Sequence, residues 1–302
     1  MDIKQQYQQF LKQRRSQAAE YFAAKGHAVL PEQPHVLADP NDWRLNIIDQ
    51  GVHPYIEAES AKRRAQGKGF ARHGAVHSGV SSQALLFNLV GPLVVRKEYR
   101  AFDAILHAAG FLVGGDVSRA EFEYEEPSIF HEYGGGQPTS VDLALWTDSG
   151  DAVLIESKFT ESGFGECSSK GRGGTCSGDN PLPDFSANCY VSKQGRTCWE
   201  VFQRHHLPGV FDLEVPECPI AGQYQLYRLV GFALKKGAHF VLLYDGRNPT
   251  FVGPGGCYSG FLDDLKPAAK AKCHALTIQR AVQALERHQG AERVLEFRKK
   301  YL

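Results

Sequence analysis

Two carboxylates and a lysine stand at spacings that could serve metal-dependent chemistry. Asp142 lies in the segment SVDLALWT, and Glu156 and Lys158 follow in the segment AVLIESK. Apolar and polar side chains alternate in both segments, and the turn-forming stretch 147–151 separates them, so we predict a β-hairpin. Since alternate side chains share a face, the three charged side chains are expected on one face. The opposite, aliphatic face is expected to pack on the core: Val141, Leu143, Leu145, Val153 and Ile155.

The register of this hairpin decides whether the two carboxylates meet. Asp142 and Glu156 become near neighbours only if the paired residue numbers have an even sum, as when 142 pairs with 156 or 158. A plain four-residue loop, 148–151, would instead place Asp142 opposite Ser157. We therefore predict an odd-length loop or a β-bulge near the turn.

A divalent cation would explain why two carboxylates share a semi-buried sheet face. Without one, the carboxylates would repel each other and would be costly to desolvate. Asp142 and Glu156 offer hard oxygen ligands, and the carbonyl of Ser157 can add a third, a set that suits Mg²⁺ (or Mn²⁺) with several retained waters. Lys158 would hold or deprotonate a metal-bound water, or contact a phosphate. A hairpin with an exposed Glu–Lys cross-strand pair is the structural alternative.

The rest of the sequence predicts the elements that position this hairpin. Helices are predicted at 2–25, from Ser81 or Ser82 to Gly91-Pro92, and at 97–109, 197–205, 222–236, 270–289 and 291–301. Strands are predicted at 111–113, 119–125, 139–147, 152–159 and 238–244. Three prolines predict an extended linker at 27–45. Helices that alternate with a small sheet indicate an α/β or α+β domain.

The chemistry-bearing residues resemble the motif of the PD-(D/E)XK nuclease superfamily. The match consists of Pro138, Asp142 and the tripeptide Glu156-Ser157-Lys158, although the distance from proline to aspartate is longer than in the bare motif. Within that superfamily the chain resembles a bacterial restriction-endonuclease-like family over about residues 73–245. The segments that carry the resemblance are Ser81-Ser82-Gln83, Thr139-Ser140-Val141-Asp142, Glu156 to Glu161 with Phe164, and Tyr224 to Arg228.

This resemblance implies an α/β fold with a restriction-endonuclease-like core, a central mixed sheet flanked by helices. We expect an N-terminal helix and linker extension at 1–72 and the nuclease-like domain at 73–302, with a Cys/Gly-rich insertion at 163–198. Asp142 and Glu156 would be metal ligands, and Lys158 the catalytic lysine. Such proteins often place a further acid on an early helix or strand, and Glu123 and Glu132 are the candidates. Nucleic-acid contacts are predicted for Gln83, Gln225 and Arg228, and for Lys170 and Arg172 in the insertion.

The expected function is metal-dependent DNA endonuclease activity, in restriction or phage defence. The alternatives are a nuclease that processes DNA ends or RNA, and a catalytically silent nucleic-acid-binding module. The partner is therefore DNA, with RNA as the alternative. A homodimer is plausible because cutting both strands needs two sites. The sequence contains no P-loop motif, so ATP-driven translocation is not expected.

Four of the seven cysteines lie in the insertion: Cys167, Cys176, Cys189 and Cys198. Eight, twelve and eight residues separate them, which differs from the paired spacing of common zinc sites. The segment is rich in glycine and has little apolar content, so a structural Zn²⁺, with His205 or His206, would help it to fold. An iron–sulfur cluster and unligated thiols are the other interpretations.

Composition excludes several classes of protein. The chain has 34 Lys and Arg against 34 Asp and Glu, so it is not a strongly basic histone-like binder, although a local basic run at 61–72 could be either a solvated helix face or a phosphate-contacting patch. The 42% hydrophobic content excludes a disordered chain. No apolar run reaches the length of a membrane span or of a signal peptide, so we expect a cytoplasmic protein without membrane partners.

Overall fold

The computed structural model describes residues 2–67, 73–111, 113–133, 138–170 and 176–302 of the chain. Several predictions fall partly or wholly outside these ranges. Arg172, a predicted nucleic-acid contact, lies outside the described residues, as do Lys68 and Arg72 at the end of the basic run.

Twelve helices and seven strands are described here in chain order within the described residues. The helices are α1 (Ile3–Ala24), α2 (Val52–Ala65), α3 (Ser82–Arg96), α4 (Arg100–Ala109), α5 (Phe185–Asn188), α6 (Tyr190–Lys193), α7 (Cys198–His205), α8 (Tyr224–Lys236), α9 (Cys257–Asp263), α10 (Pro267–Lys270), α11 (Ile278–Gln289) and α12 (Leu295–Tyr301). The strands are β1 (Val29–Leu30), β2 (Gln33–Leu37), β3 (Val117–Glu125), β4 (Ser140–Thr147), β5 (Ala152–Lys158), β6 (His239–Tyr244) and β7 (Cys273–Thr277). Short 3₁₀ segments include Pro40–Asn46 and Ala221–Gln223.

A mixed five-stranded sheet forms the centre of the molecule, in the order β3-β4-β5-β6-β7. Strand β4 pairs in antiparallel fashion with both β3 and β5. Strand β6 pairs in parallel fashion with both β5 and β7. Helices cover both faces. On one face α3, α4 and α11 pack against Leu143, Val153 and Ile155; on the other, α7 and α8 pack against Ala144 and Leu154. This confirms the predicted α/β architecture, a central mixed sheet flanked by helices.

The predicted hairpin forms, with one correction to its faces. Strands β4 and β5 pair Leu143 with Ile155 and Trp146 with Ala152, so the register has the even sum that the acid pair requires. Gly150, at φ 93°, ends a three-residue loop, 148–150, because only glycine adopts this conformation without strain. The face that carries Asp142 was predicted to be semi-buried but is buried, since α8 and its neighbours cover it about as completely as the aliphatic face is covered.

Strand β3 contains an irregularity at Glu123, whose φ is 51°. Phe122 packs on Phe87, whereas Tyr124 packs on Trp146 and Phe232 beyond the other face of the sheet. Regular alternation would put both aromatic rings on the same face. The paired strand follows this change, because Val141 joins the α8 cluster rather than the cluster of Leu143. The expectation that these two β4 residues share a face was therefore wrong.

The N-terminal segment packs against the last helix of the described chain. Helix α1 forms as predicted, but residues 27–45 form the β1–β2 hairpin and a 3₁₀ segment rather than an extended linker. Arg14 of α1 donates to the carbonyl of Tyr301 over 3.1 Å. The buried Lys300 Nζ donates to Asn46 Oδ1 over 2.6 Å. Burial lowers the pKa of Lys300 well below its usual value.

Three further elements differ from the prediction. Helix α3 begins after the Ser81 cap but continues through Gly91-Pro92 to Arg96. Gly91 permits this packing, because a Cβ there would lie 3.0 Å from a Val52 methyl group of α2. Residues 273–277, predicted as helix, form strand β7 because the edge of β6 offers them a parallel partner. Residues 111 and 113 belong to no strand, contrary to the prediction for 111–113. Within the described residues, no helix is long and apolar enough to cross a membrane.

Candidate active site

Three acidic residues lie in register across neighbouring strands. Strands β3 and β4 pair Phe122 with Leu143 and Tyr124 with Val141, which places Glu123 opposite Asp142. The β4–β5 register, continued by one residue, places Asp142 opposite Glu156. All three side chains are buried. We call Glu123, Asp142 and Glu156 the acid row.

The acid row borders a cavity of about 200 Å³. A water molecule takes up about 30 Å³ in the liquid, so the cavity has room for several. The lining residues are His73, Glu123, Pro138, Thr139, Ser140, Asp142, Glu156, Gln225, Arg228 and Leu229. Larger cavities, of about 410 and 640 Å³, lie elsewhere and do not border the acid row. The chemistry therefore points to the smallest of these three cavities.

Lys158 forms an ion pair with a carboxylate of this row. Its Nζ lies 2.7 Å from Glu156 Oε1, and both side chains are less than a tenth exposed. Gln225 of α8 completes the group, because its Nε2 donates to Glu156 Oε1 over 3.1 Å and its Oε1 lies 3.2 Å from Lys158 Nζ. Burial by itself would lower the pKa of Lys158, but the charges of Glu156, Glu161 and Asp142 outweigh it and raise that pKa. Lys158 is therefore protonated at neutral pH.

Asp142 is held by the backbone of β5. Its Oδ2 accepts a hydrogen bond from the Ser157 amide over 2.7 Å. Burial raises the pKa of Asp142 well above its ordinary value, and the charges of Glu156 and Glu123 raise it further. The fully buried Ser157 hydroxyl has no hydrogen-bond partner in the part of the chain that the structure describes. If all three acids were ionised, the row would carry more negative charge than the Lys158 ammonium neutralises.

Glu123 is anchored from the helix that the Ser-Ser-Gln segment begins. Gln83 Nε2 donates to Glu123 Oε1 over 2.6 Å, and Gln83 Oε1 accepts from the His73 amide over 2.9 Å. Gln83, predicted to contact nucleic acid, is itself only 1% exposed. Burial raises the pKa of Glu123 to about 7, opposed by the Gln83 hydrogen bond and assisted by the charge of Glu156.

Glu132, the other predicted acid, belongs to a separate group that we call the arginine cluster: Glu132, Thr139, Arg196 and Arg228. Glu132 Oε1 lies 2.9 Å from Arg228 Nη2 and 3.2 Å from Arg196 Nη1. The Thr139 amide donates to Glu132 Oε2 over 2.6 Å. Arg228 also lines the cavity, so the arginine cluster borders the acid row but does not include it.

Two of the four predicted cysteines of the insertion, Cys189 and Cys198, are buried, and two, Cys167 and Cys176, are partly exposed. All four predicted cysteines are free thiols, and the described residues contain no group of three or more His, Cys, Asp or Glu side chains that could hold a metal ion. Burial raises the pKa of the Cys198 thiol to about 12. The Cys189 sulfur accepts from Trp199 Nε1 over 3.2 Å. His206 stacks on Tyr227, and burial lowers its pKa to about 4. Lys170 is exposed.

One residue of the site escaped the sequence analysis. Arg63, in the predicted basic run, is buried and donates to the backbone of β3 next to the acid row. Helical spacing could have found it, because Val52, Ile56 and Arg63 lie on one face of α2, four and seven residues apart. The basic run is thus not uniformly a solvated face.

A mixed sheet flanked by helices, with acids and a lysine on adjacent strands, defines the restriction-endonuclease-like class. The comparisons with known proteins agree. A family model described as Restriction Endonuclease associating with ARP matches residues 5–302, so the chain belongs to this family. The resemblance drawn from the sequence is confirmed, and membership of this family indicates a nuclease. No curated protein and no solved structure matches the chain significantly.

Proposed function

We propose that this protein is a Mg²⁺-dependent DNA endonuclease, with Mn²⁺ as an alternative metal. Asp142 and Glu156 would bind the metal ion, and Lys158 would be the catalytic lysine. The observation that carries the proposal is the acid row, in which three buried carboxylates on adjacent strands face one lysine. Burial of such an excess of negative charge is costly, and a bound cation is the usual compensation.

The donor set suits magnesium. Two carboxylates and a backbone carbonyl are hard oxygen ligands, and Mg²⁺ keeps several waters, for which the cavity has room. No described group offers three suitable side chains, so we assign two carboxylates, the Ser157 carbonyl and water as ligands. Both hydrogen bonds described for the Glu156 carboxylate go to Oε1, which leaves Oε2 for the metal. When bound, the metal would acidify a coordinated water and stabilise negative charge on the phosphate.

The residues around the proposed metal ligands would each have a separate role in binding the phosphodiester or in positioning the ligands. Because its pKa is raised, Lys158 is suited to donate a hydrogen bond to a phosphate oxygen or a water rather than to accept a proton. Gln225 holds Lys158 and Glu156 in their relative positions. In the arginine cluster two guanidinium groups share one carboxylate, so a net positive charge borders the cavity. A phosphodiester between the two groups would meet cations on both sides.

The biological setting follows from the family. Its description supports a restriction role and an association with ARP. A second copy of the chain would supply the second site needed to cut both strands, so a homodimer remains part of this proposal.

A catalytically silent nucleic-acid-binding module is the second candidate. The observation that favours it is the Lys158–Glu156 ion pair, because the ammonium already neutralises one of the two proposed ligands. In such a module the acid row would have no catalytic role, and DNA would bind without being cut.

The test is cleavage of supercoiled plasmid, linear DNA and single-stranded RNA in EDTA, Mg²⁺ or Mn²⁺. We expect metal-dependent cutting of plasmid that falls by about 10²-fold or more in Lys158→Ala, the scale of losing one charge-stabilising group. Lys270→Ala is the matched control, since Lys270 is exposed and paired with an exposed aspartate. Binding without cutting would favour the silent module. Preference for RNA or for DNA ends would replace the endonuclease by a processing nuclease.

A further inference from the structure

Glu123 has a backbone conformation that glutamate seldom adopts. Its φ of 51° lies in the left-handed region, which is strained for a residue other than glycine. Phe122 and Tyr124, the residues before and after Glu123 in β3, remain paired with β4. Some other part of the molecule must therefore hold this residue in place.

The side chain of Arg63, on α2, holds the Glu123 backbone in place. Its Nη1 donates to the carbonyl of Glu123, and its Nη2 donates to the carbonyl of Phe122 over 2.5 Å. The same Nη2 lies 3.1 Å from Glu121 Oε1. One planar guanidinium thus spans three consecutive residues of β3, and its side chain is only 7% exposed.

Arg63 makes these contacts at the point where the side chains of β3 stop alternating regularly between the two faces of the sheet. Phe122 packs on one side of the sheet and Tyr124 on the other, so the backbone turns at Glu123. This turn carries the Glu123 carboxylate to the cavity that Asp142 and Glu156 also line. Gln83 then fixes the carboxylate itself. Backbone and side chain are therefore held by two different helices, α2 and α3.

We propose that Arg63 is a positioning residue of the active site. Its guanidinium keeps Glu123 in the left-handed conformation that places the carboxylate in the acid row. Arg63 touches neither metal nor substrate in this role and acts only through Glu123. The inference rests on the proposed function, because it assigns a task within the same metal site. It makes the N-terminal segment part of that site.

The test compares Mn²⁺ affinity, measured by calorimetry without DNA, in the wild type, Arg63→Gln and Arg63→Lys. Loss of a residue that supports metal ligands from the outer shell typically weakens metal binding 10–100-fold. Glu123 lies beside the proposed ligands Asp142 and Glu156, so its displacement in Arg63→Gln should weaken Mn²⁺ binding by about that much. Lysine keeps the charge but cannot span three acceptors, so Arg63→Lys should fall between. Arg64→Gln is the control, because Arg64 is an exposed neighbour on the same helix. Glu121→Gln separates the ion pair from the carbonyl contacts and should leave the affinity near that of the wild type.

Each outcome has a distinct meaning. Equal Mn²⁺ affinity in Arg63→Lys and Arg64→Gln would overturn the proposal, even if Arg63→Lys lowers the melting temperature, because a purely structural arginine would affect stability alone. If Arg63→Gln does not fold, the Mn²⁺ affinity of Arg63→Lys still decides between a positioning role and a purely structural role. If the wild type binds Mn²⁺ but cuts no nucleic acid, the endonuclease proposal fails, while the affinity series still tests Arg63. If the wild type binds no Mn²⁺, both proposals fail.

Discussion

Glu123 and Glu132 are both buried near one cavity, yet their surroundings differ in charge. Glu132 has two arginines and two donors from Thr139, so its group carries more positive than negative charge. Glu123 has two further carboxylates as neighbours, and Lys158 contacts only Glu156 among the acids. The arginine cluster can therefore hold its geometry unaided. In the acid row the carboxylates outnumber the ammonium group that pairs with them, and this imbalance is the reason for proposing a ligand site rather than a structural ion cluster.

The largest effect is expected from Asp142→Asn. Asparagine can still accept a hydrogen bond from the Ser157 amide, so the fold should persist. The rate of metal-dependent cleavage should fall by about 10³-fold, which corresponds to roughly 4 kcal/mol in activation free energy. Mn²⁺ at a hundred times its dissociation constant should stabilise the wild type by about 2.7 kcal/mol but not the variant. Thermal unfolding with and without Mn²⁺ measures this, with the exposed Asp263→Asn as control. Equal stabilisation of both variants would remove Asp142 from the metal site.

Glu132→Gln should have the next largest effect, and the effect should be on stability. Removal of one partner of a buried ion pair costs about 3 kcal/mol, because two guanidinium groups would lose their shared carboxylate. Glu126→Gln is the control, since its pair with Lys236 is more exposed and is expected to contribute about 1 kcal/mol or less. Chemical denaturation measures both. A Glu132→Gln variant with wild-type stability and impaired Mn²⁺ binding would reverse the roles of the two glutamates.

Glu123→Gln should have a smaller, pH-dependent effect. The folded protein raises the pKa of Glu123 from 4.5 to about 7, chiefly by burial, so the folded state binds more protons than the unfolded state between these values. The free energy of unfolding of the metal-free wild type should therefore fall as pH rises from 4.5 to 7. The variant should lack this loss, so its free energy of unfolding should improve relative to that of the wild type between pH 4.5 and pH 8. Denaturation in EDTA at both pH values gives the result, and parallel pH profiles would contradict it.

The sequence predicted which charged side chains come together on β4 and β5, because local alternation and the hairpin register determine it. Alternation placed Asp142, Glu156 and Lys158 on one face, and the parity argument gave the register that the structure shows. It could not choose between Glu123 and Glu132, because that choice depends on contacts with Gln83 and Arg228, distant in the chain.

The prediction failed where tertiary packing overrides local preference. Gly91-Pro92 is a strong signal for the end of a helix, yet α3 continues because its close packing on Val52 stabilises the extra turn. Strand β7 contains no strong strand pattern and forms at the free edge of β6. The left-handed Glu123 has no local signal at all, because a side chain 60 residues earlier, that of Arg63, contacts its carbonyl.

The contact between Lys300 and Asn46 has a consequence for synthesis. These residues are 254 positions apart, so the ribosome makes the N-terminal segment long before its partner in α12. The strands that carry the acid row are close in sequence and have low contact order, so they can pair first. We therefore expect docking of the N-terminal segment to follow the pairing of these strands. A nascent chain would then carry all its acidic residues before their support is complete.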